Sequence, residues 1–412
     1  MTKNIKKVLL IAYACEPNKT SEPGVGWNIG NQISQSYETF ILTRANNSEP
    51  IESANNSKIT FLFFDLPFVF TSLKSKVPLG TQLYYALWQW GAYHYAKNYF
   101  KKHNENIDLV HHLNFAASWI APPGYLFKQP FVWGPIGGGD IVPMRFLKQM
   151  RSTAIIQELI YSLTNKLSKI SIFSFFTRKK ASAILFRTES IATTFSKNKD
   201  TIYKSISETA MVDENLNYRP KVHSKNIQVI CVGRMNYWKG FIYAVKGFHY
   251  YLNDGGKGTL ELYGEGTEKD EIEKYIKANR LENSIFVRGF VDNMEIKKKM
   301  EHSNILLHPS FREGGSWSIM EAMSYGLPVI CLNTSGPKDM VTESGGILIA
   351  FDSPIQVCED IGKGLLELSK NKEKYLQLSS NAHNRILNEY SWSRRKDQIS
   401  EVYQDILSTV DK

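Results

Sequence analysis

Short apolar runs that alternate with longer helical patterns constrain the fold of this chain more than any other feature. Because parallel strands need crossover connections, usually helices, this alternation predicts α/β units built on parallel sheets. In the first half, strands are predicted at 6–14, 38–44, 58–66, 108–114, 130–134 and 181–188, and helices near 25–36, 80–102, 118–127 and 150–170. In the second half, strands are predicted at 226–233, 259–263, 284–288, 304–308, 328–332 and 346–350.

The length of 412 residues indicates two domains, because a single hydrophobic core rarely grows beyond about 250–300 residues. The apolar runs are interrupted near 206–224, where acidic residues, asparagines and Pro220 occur, so this segment is predicted to link the domains. The predicted fold class is α/β, with two doubly wound, Rossmann-like domains facing each other across a cleft. In such folds a ligand binds at the carboxyl ends of the strands.

The positive charge is concentrated in the first half of the chain. Residues 1–212 carry 24 basic and 13 acidic side chains, whereas the rest of the chain is close to neutral. This asymmetry indicates an anionic partner for the first half, or a solvated basic face. Zinc-finger, RNP and basic-helix patterns are absent from the sequence, so we expect a membrane surface or a phosphorylated acceptor rather than nucleic acid.

The cysteines and the hydropathy indicate a cytoplasmic protein. Cys15, Cys231, Cys331 and Cys358 lie far apart and form no C-x-x-C pair, which argues against a zinc site or a disulfide framework. An uncharged apolar stretch of about 18 residues, the length that spans a bilayer, does not occur. We therefore expect a cytoplasmic location, with peripheral contact at the inner face of the membrane.

The most informative segment runs from His308 to Ile330 and contains two glutamates around a predicted helix start. Ser316 is a plausible N-cap, the helix follows from Trp317, and Gly326 is its stop signal. Backbone N–H groups at a helix N-terminus bind anions such as a diphosphate. Glu313 before the helix and Glu321 within it could then accept hydrogen bonds from hydroxyls of a sugar and a ribose. The alternative is structural, with one glutamate capping the helix and the other in a surface ion pair.

Two further groups follow predicted strands in the second half. Arg234 and Lys239 lie on the loop after the strand at 226–233, and together they could bind several phosphate oxygens. Gly264 and Gly266 follow the strand at 259–263, in a Tyr-Gly-Glu-Gly pattern that by itself could be only a turn. The two cations supply the charge that a diphosphate at the helix start would need.

These segments together resemble the family 4 retaining glycosyltransferases, which have the two-domain GT-B fold. The matching pieces in the second half are Gly233-Arg234, Lys239-Gly240, Tyr263 to Gly266, Gly289 to Val291, Glu313 with Glu321-Ala322-Met323, Gly326 to Ile330 and Gly345-Gly346. The first half matches more loosely, through Glu22 to Trp27 and Trp133 to Asp140. The resemblance implies an acceptor-binding domain at 1–212, a donor-binding domain at 213–389, and a C-terminal helix at 390–412 that returns to the first domain.

The resemblance also implies roles for individual residues. Arg234 and Lys239 would hold the donor diphosphate, Glu313 the sugar hydroxyls and Glu321 the ribose. Further donor contacts would come from backbone and loop residues: Gly24, Gly26, Gly264, Gly266, Phe290, Val291, Gly315, Ser316, Trp317, Ser318 and Ile319. No bound metal and no cofactor would be needed, because the cations neutralise the diphosphate.

A catalytic histidine of the first domain is harder to place. Where many relatives carry it, this chain has Gly134-Pro135. His111 and His112, on the preceding strand, are the substitutes, and because strand side chains alternate, only one of them can face the cleft. We favour His112 as the catalytic group; the alternative is a hydrogen-bonded histidine of the core.

The predicted function is transfer of a hexose-type sugar, with retention, from a nucleotide sugar to a glycan or lipid-linked acceptor in cell-surface polysaccharide biosynthesis. The alternatives are a sugar-nucleotide epimerase of the same architecture and an inactive nucleotide-sugar-binding subunit. A nicotinamide dehydrogenase is disfavoured because Gly24 and Gly26 are followed by Ile29 where the dinucleotide pattern needs glycine.

Overall fold

The computed structural model describes residues 6–71, 80–115, 118, 120–148, 150–169, 171–193, 197–211 and 221–410. Their contacts divide the chain into two compact units. The first unit comprises residues 1–139, 162–208 and 392–412, and the second comprises 140–161 and 209–391. Residues 140–161, which the sequence placed in the first domain, thus make their contacts within the second unit.

The first unit is built on a parallel seven-stranded sheet with the order β3-β2-β1-β4-β5-β6-β7. Register follows the apolar runs; Leu10, for example, pairs with Ile41 on one side and with His111 on the other. The strands are β1 Lys7–Ile11, β2 Glu38–Thr43, β3 Ile59–Phe63, β4 Leu109–His112, β5 Phe131–Ile136, β6 Ala181–Phe186 and β7 Ile202–Ser205. Six of them confirm predicted strands, and β7 was not predicted.

Helices of the first unit connect these strands. They are Ser21–Ile33, Ser48–Ser53, Phe68–Thr71, Gly80–Lys102, Ile172–Lys180, Glu189–Thr193 and Trp392–Val410. The last of these packs against Ser21–Ile33. The helix Ser152–Lys169 continues from the second unit into the first.

The predicted helix at 118–127 is wrong. The described residues of this segment contain only a short 3₁₀ turn, Gly124–Leu126. Pro122 and Pro123 explain the difference, because proline fixes φ, lacks an N–H donor and disfavours a helical conformation in the residue before it.

The second unit contains a parallel six-stranded sheet with the order β10-β9-β8-β11-β12-β13. All six strands confirm predicted strands: β8 Asn226–Val232, β9 Lys257–Tyr263, β10 Ile285–Gly289, β11 Ile305–His308, β12 Val329–Leu332 and β13 Gly346–Ile349. The strand order reverses between β8 and β11: β9 and β10 follow β8 on one side, and β12 and β13 follow β11 on the other. This reversal is the topological switch point at which open α/β sheets bind ligands.

Helices cover both faces of the second sheet, and its central strands β11 and β12 are fully buried. Those that follow the strands are Phe241–Asn253, Lys269–Ala278, Asn293–His302, Trp317–Ser324, Ser335–Gly345, Pro354–Lys370 and Lys372–Glu389, and Met144–Leu147 belongs to the same unit. Of the predicted linker, residues 212–220 lie outside the described residues, and Met211 forms a bridge with Ser391. Within the described ranges, helices long and apolar enough to span a membrane are not found.

Candidate active site

The segments predicted to bind a donor lie at the carboxyl edge of the second sheet. Arg234 follows β8, Gly264 and Gly266 follow β9, Phe290 and Val291 follow β10, and the Glu313 loop follows β11. Because all six strands are parallel, these segments emerge at the same edge of the sheet. The loops after β8 and β11 flank the switch point.

A largely buried ion pair joins the two loops at the switch point. Lys239 Nζ contacts Glu313 Oε2, and the two side chains are only 17% and 15% exposed. His308, the last residue of β11, is buried and places Nε2 3.3 Å from the same oxygen. Because the acceptor is a carboxylate oxygen, the histidine nitrogen that faces it is the protonated one and donates.

Charge at this pair fixes the protonation of Glu313. Burial alone would raise the pKa of its carboxyl group, but the charge of Lys239 and the hydrogen bonds from His308 and Lys239 outweigh burial and lower that pKa to about 2. Burial lowers the pKa of His308, so its imidazole is neutral near pH 7. Glu313 is therefore an anion with Oε2 already bonded, whereas Oε1 accepts no hydrogen bond from the described residues.

The loops that carry the pair are held together by their backbones. Phe311 N donates to Trp238 O at 2.8 Å, and Gly336 N donates to Glu313 O at 3.1 Å. Gly240 has φ +67°, and a Cβ there would lie 2.2 Å from Pro309 O. Only glycine allows this close approach, which brings Lys239 to Glu313.

Arg234 differs from Lys239 in its surroundings. Its side chain is exposed at the end of β8 and makes no hydrogen bond or ion pair with the described residues. An exposed guanidinium on the loop that also carries Lys239 is available for an anion, and its planar fork suits two phosphate oxygens.

The glycines after β9 allow loops to pack closely rather than leaving an open turn. A Cβ on Gly264 would lie 1.8 Å from Gly233 O, and one on Gly266 would lie 2.5 Å from Met235 O. The β9 loop is thereby pressed against the loop that carries Arg234. Beyond β10, Phe290 is 81% exposed and Val291 is partly buried; contact of their backbone with a donor stays a prediction.

The helix Trp317–Ser324 begins as predicted, with Ser316 as N-cap. Ser316 Oγ accepts from Ile319 N at 3.4 Å and lies 3.1 Å from Ser318 Oγ. The Ile319 amide, expected to bind the donor, is therefore engaged by the cap. A Cβ on Gly315 would lie 2.5 Å from Thr209 Oγ1, so this glycine allows close packing before the helix.

Glu321 lies one turn into this helix and is buried. Burial raises the pKa of its carboxyl group, while the charge of Lys297 and a hydrogen bond with Asn293 act in the opposite direction. Unlike Glu313, it forms no ion pair with the part of the chain that the structure describes, which leaves acceptor capacity for hydroxyl groups.

Both candidate histidines of the first unit are fully buried in its core. His112 places Nε2 2.8 Å from Tyr85 OH and Nδ1 3.3 Å from Tyr93 OH. His111 places Nδ1 2.5 Å from Tyr403 OH and Nε2 2.6 Å from Gly134 O. Burial lowers the pKa of His112 to about 3 and that of His111 to about 4. Since both ring nitrogens of His112 are engaged, the structure does not support its assignment as a catalytic group.

Gly24 and Gly26 lie inside the first helix of the chain, not in a loop before it. A Cβ on Gly24 would lie 2.0 Å from Lys19 O, and one on Gly26 would lie 2.2 Å from Ala14 O. Packing within the first unit thus accounts for both glycines; their contact with a donor phosphate stays a prediction.

Sequence reasoning missed an ion-pair network in the first unit. Arg187, directly after β6, lies 2.6 Å from Glu22 Oε1 and 2.7 Å from Glu208 Oε2. The Glu22 carboxylate also accepts from Phe115 N at 3.0 Å. His308 was likewise missed, although its position as a polar residue ending an apolar strand could have marked it.

The second unit matches the model of the family described as "Glycosyl transferases group 1" over residues 214–385. Among curated proteins, a poly(glycerol-phosphate) alpha-glucosyltransferase of Bacillus subtilis is 25% identical over 189 residues, which are 44% of this chain and 27% of that protein. The alignments to the first three curated relatives cover between 27% and 51% of their lengths.

Two solved structures are similar over nearly the whole chain. The sucrose-phosphate synthase of Thermosynechococcus elongatus has a TM-score of 0.66 at 15% identity, over 98% of this chain and 100% of that one. Anabaena Alr3699/HepE in complex with UDP has a TM-score of 0.61 at 17% identity, over 97% and 100%. At 15% and 17% identity, this similarity shows a shared fold and nothing about activity. Residues 214–385 therefore match the group 1 glycosyltransferase model, and the two α/β units of the chain have the fold of the GT-B glycosyltransferases.

Proposed function

We propose that this chain is a retaining, family 4 glycosyltransferase that transfers a hexose-type sugar from a nucleoside-diphosphate sugar to a glycan or lipid-linked acceptor. The proposal is carried by one observation at the switch point. Glu313 is held as an anion through Oε2 and leaves Oε1 without a partner among the described residues. A carboxylate so arranged suits a ligand rich in hydroxyl groups.

The cations around Glu313 fit the leaving group of such a donor. When the bond between the anomeric carbon and the phosphate oxygen breaks, negative charge grows on the diphosphate. Arg234 is exposed and unpaired within the described chain, and Lys239 lies on the same loop. Fixed cations stabilise developing charge most where water is excluded. The proposed reaction therefore needs no metal ion or cofactor to neutralise the diphosphate.

For the remaining donor contacts, we assign the ribose to Glu321 and the base to the backbone near Phe290 and Val291. The acceptor hydroxyl attacks the anomeric carbon from the face that the diphosphate leaves, and a phosphate oxygen takes the acceptor's proton. One bond to the anomeric carbon thus breaks as another forms, and configuration is retained. This stereochemistry rests on the resemblance to family 4.

The named activity of the Bacillus subtilis relative, glucosyl transfer to a poly(glycerol-phosphate), supports an anionic polymeric or lipid-linked acceptor. The +10 net charge of the chain, concentrated in its first half, agrees with that chemistry. We place the reaction in cell-surface polysaccharide assembly, at the inner face of the membrane.

A donor-hydrolysis screen tests the proposal. UDP-, GDP- and ADP-sugars are incubated with the purified protein, with Glu313→Ala, and with Glu273→Ala, a control on an exposed helix. We expect slow nucleoside diphosphate release from one base class, lost in Glu313→Ala and kept in Glu273→Ala. No release from any donor, or equal release by Glu313→Ala, would refute the assignment, and an isomerised donor with its diphosphate intact would establish the epimerase instead.

A further inference from the structure

The helix Ile172–Lys180 has the reverse of the polarity expected for a helix on a water-soluble surface. Its small polar residues Ser174 and Thr177 are buried, and Thr177 Oγ1 donates to Pro122 O at 2.7 Å. Its large apolar side chains are between 46% and 63% exposed: Ile172, Phe173, Phe175 and Phe176. A contiguous apolar surface of this kind marks an interaction site.

The helix Gly80–Lys102 extends this apolar surface. Leu83, Leu87 and Trp90 follow the helical spacing on its outer side, whereas Tyr84 and Trp88 lie in the core. Trp90 contacts Phe173 edge-on, with ring centroids 5.8 Å apart. The two helices thus share one surface of the first unit.

We call this surface the aromatic patch and define it by six side chains: Leu83, Leu87, Trp90, Phe173, Phe175 and Phe176. Leu163 and Leu167, in the helix before Ile172–Lys180, are also more than half exposed. Aromatic and aliphatic side chains of this kind are the ones that amphipathic helices place at the boundary between lipid headgroups and acyl chains.

The charge of these helices selects among partners. Neither helix contains an aspartate or glutamate, and the last turn of each is basic: Lys101 and Lys102 in one, and Arg178, Lys179 and Lys180 in the other. A protein partner would have to present a complementary acidic surface to these cations. Apolar side chains flanked by cations alone match the headgroups of an anionic bilayer.

We propose that the aromatic patch docks on the headgroup region of an anionic lipid bilayer, with Ile172–Lys180 lying in the plane of the membrane and its terminal cations on lipid phosphates. This inference deepens the proposed function, on which it rests for the presence of a lipid-linked acceptor. Vesicle binding is measured without donor or acceptor, so its failure is separate from failure of the transferase assignment.

Co-sedimentation with vesicles tests the patch. The purified full chain is mixed with vesicles of phosphatidylcholine, with and without about 30% phosphatidylglycerol. This fraction of anionic lipid gives the vesicles a substantial negative surface potential. We expect binding only to the anionic vesicles, weakened by salt. Phe175→Ser combined with Phe176→Ser should lower the partition coefficient more than about tenfold, and Lys179→Gln about fivefold.

Control variants on the second unit should leave the partition coefficient unchanged: Ile355→Ser, which replaces an exposed apolar side chain, and Lys277→Gln, which removes an exposed cation. Thermal unfolding checks that each variant is folded. If the Phe175 and Phe176 double variant does not fold, Lys179→Gln alone tests the patch. Absence of binding, equal binding to neutral vesicles, or equal losses in the control variants would overturn the proposal. So would self-association that Phe175→Ser and Phe176→Ser abolish, since a second copy would then cover the patch.

Discussion

Replacing Lys239 by methionine removes the cation beside Glu313 while keeping a side chain of similar length. In the wild type, the pKa of the Glu313 carboxyl group is about 2, against 4.5 without the protein's influence. Since one pKa unit corresponds to about 1.4 kcal/mol, the ionised carboxylate stabilises the fold by about 3 kcal/mol at pH 7. Without Lys239, only His308 offsets the burial of Glu313, so we expect most of this free energy to be lost.

The direction of the pKa shift determines how the loss of stability depends on pH. A carboxyl group whose pKa is lowered by folding stabilises the protein above pH 4.5, and that contribution disappears as the pH falls through the folded pKa near 2. The difference in unfolding free energy between wild type and Lys239→Met should therefore shrink from about 3 kcal/mol at pH 7 to about 2 kcal/mol at pH 3.5. In the variant, Glu313 is already largely protonated at the lower pH.

Urea unfolding at the two pH values measures this difference. Because the chain has two units, pulsed hydrogen exchange resolved by peptide follows β8 and β11 of the second unit separately. Lys269→Met is the matched control, since Lys269, at the start of a helix, forms a more exposed ion pair with Glu265 in the preceding loop, and its loss should have no measurable effect. An unchanged free energy of unfolding for Lys239→Met at pH 7, or a loss independent of pH, would refute the role of the ion pair.

Three further predictions concern single side chains. In steady-state kinetics, Arg234→Ala should lower kcat by about 10²–10³-fold and raise KM by less, because a fixed cation acts mainly on the leaving group; an unchanged kcat would exclude that role. Glu321→Gln should raise the KM for the donor about tenfold with little change in kcat, because ribose contacts are equal in ground and transition states; a large drop in kcat would contradict this. His112→Phe should destabilise the first unit by about 1–3 kcal/mol, because the buried Tyr85 and Tyr93 hydroxyls lose their hydrogen bonds with His112, while kcat changes less than about threefold; a kcat loss of the size expected for Arg234→Ala would restore the catalytic assignment.

The sequence predicted the sheets because burial of parallel strands leaves a simple signal. Twelve strands were predicted and all occur, since their apolar runs are bounded by polar or glycine-containing loops. The strand β7, Ile202–Ser205, was not predicted because it is short and only partly buried. The failed helix at 118–127 shows that an apolar pattern cannot outweigh two consecutive prolines.

The loops of the candidate site could be predicted from local motifs, but their partners could not. The spacing of Arg234, Lys239 and Glu313 is visible in the sequence, whereas the contact between Lys239 and Glu313 joins residues 74 positions apart. The assignment of residues 140–161 to the second unit depends on equally distant contacts, such as Tyr237 OH to Glu158 Oε2 at 2.9 Å. The surroundings of His112 were hidden for the same reason, because strand alternation does not reveal that tyrosines from Gly80–Lys102 lie within hydrogen-bond distance of both of its ring nitrogens.

Calorimetric titration of the protein with UDP, GDP and ADP tests most directly the claim that the second unit holds a nucleotide-sugar donor at its switch point. We expect one nucleoside diphosphate to bind, at least about tenfold more weakly to Arg234→Ala, and with unchanged affinity to Lys277→Ala, which removes a cation from an exposed helix. If none of the three nucleotides binds, or if Arg234→Ala binds as tightly as the wild type, the donor site does not lie where we place it.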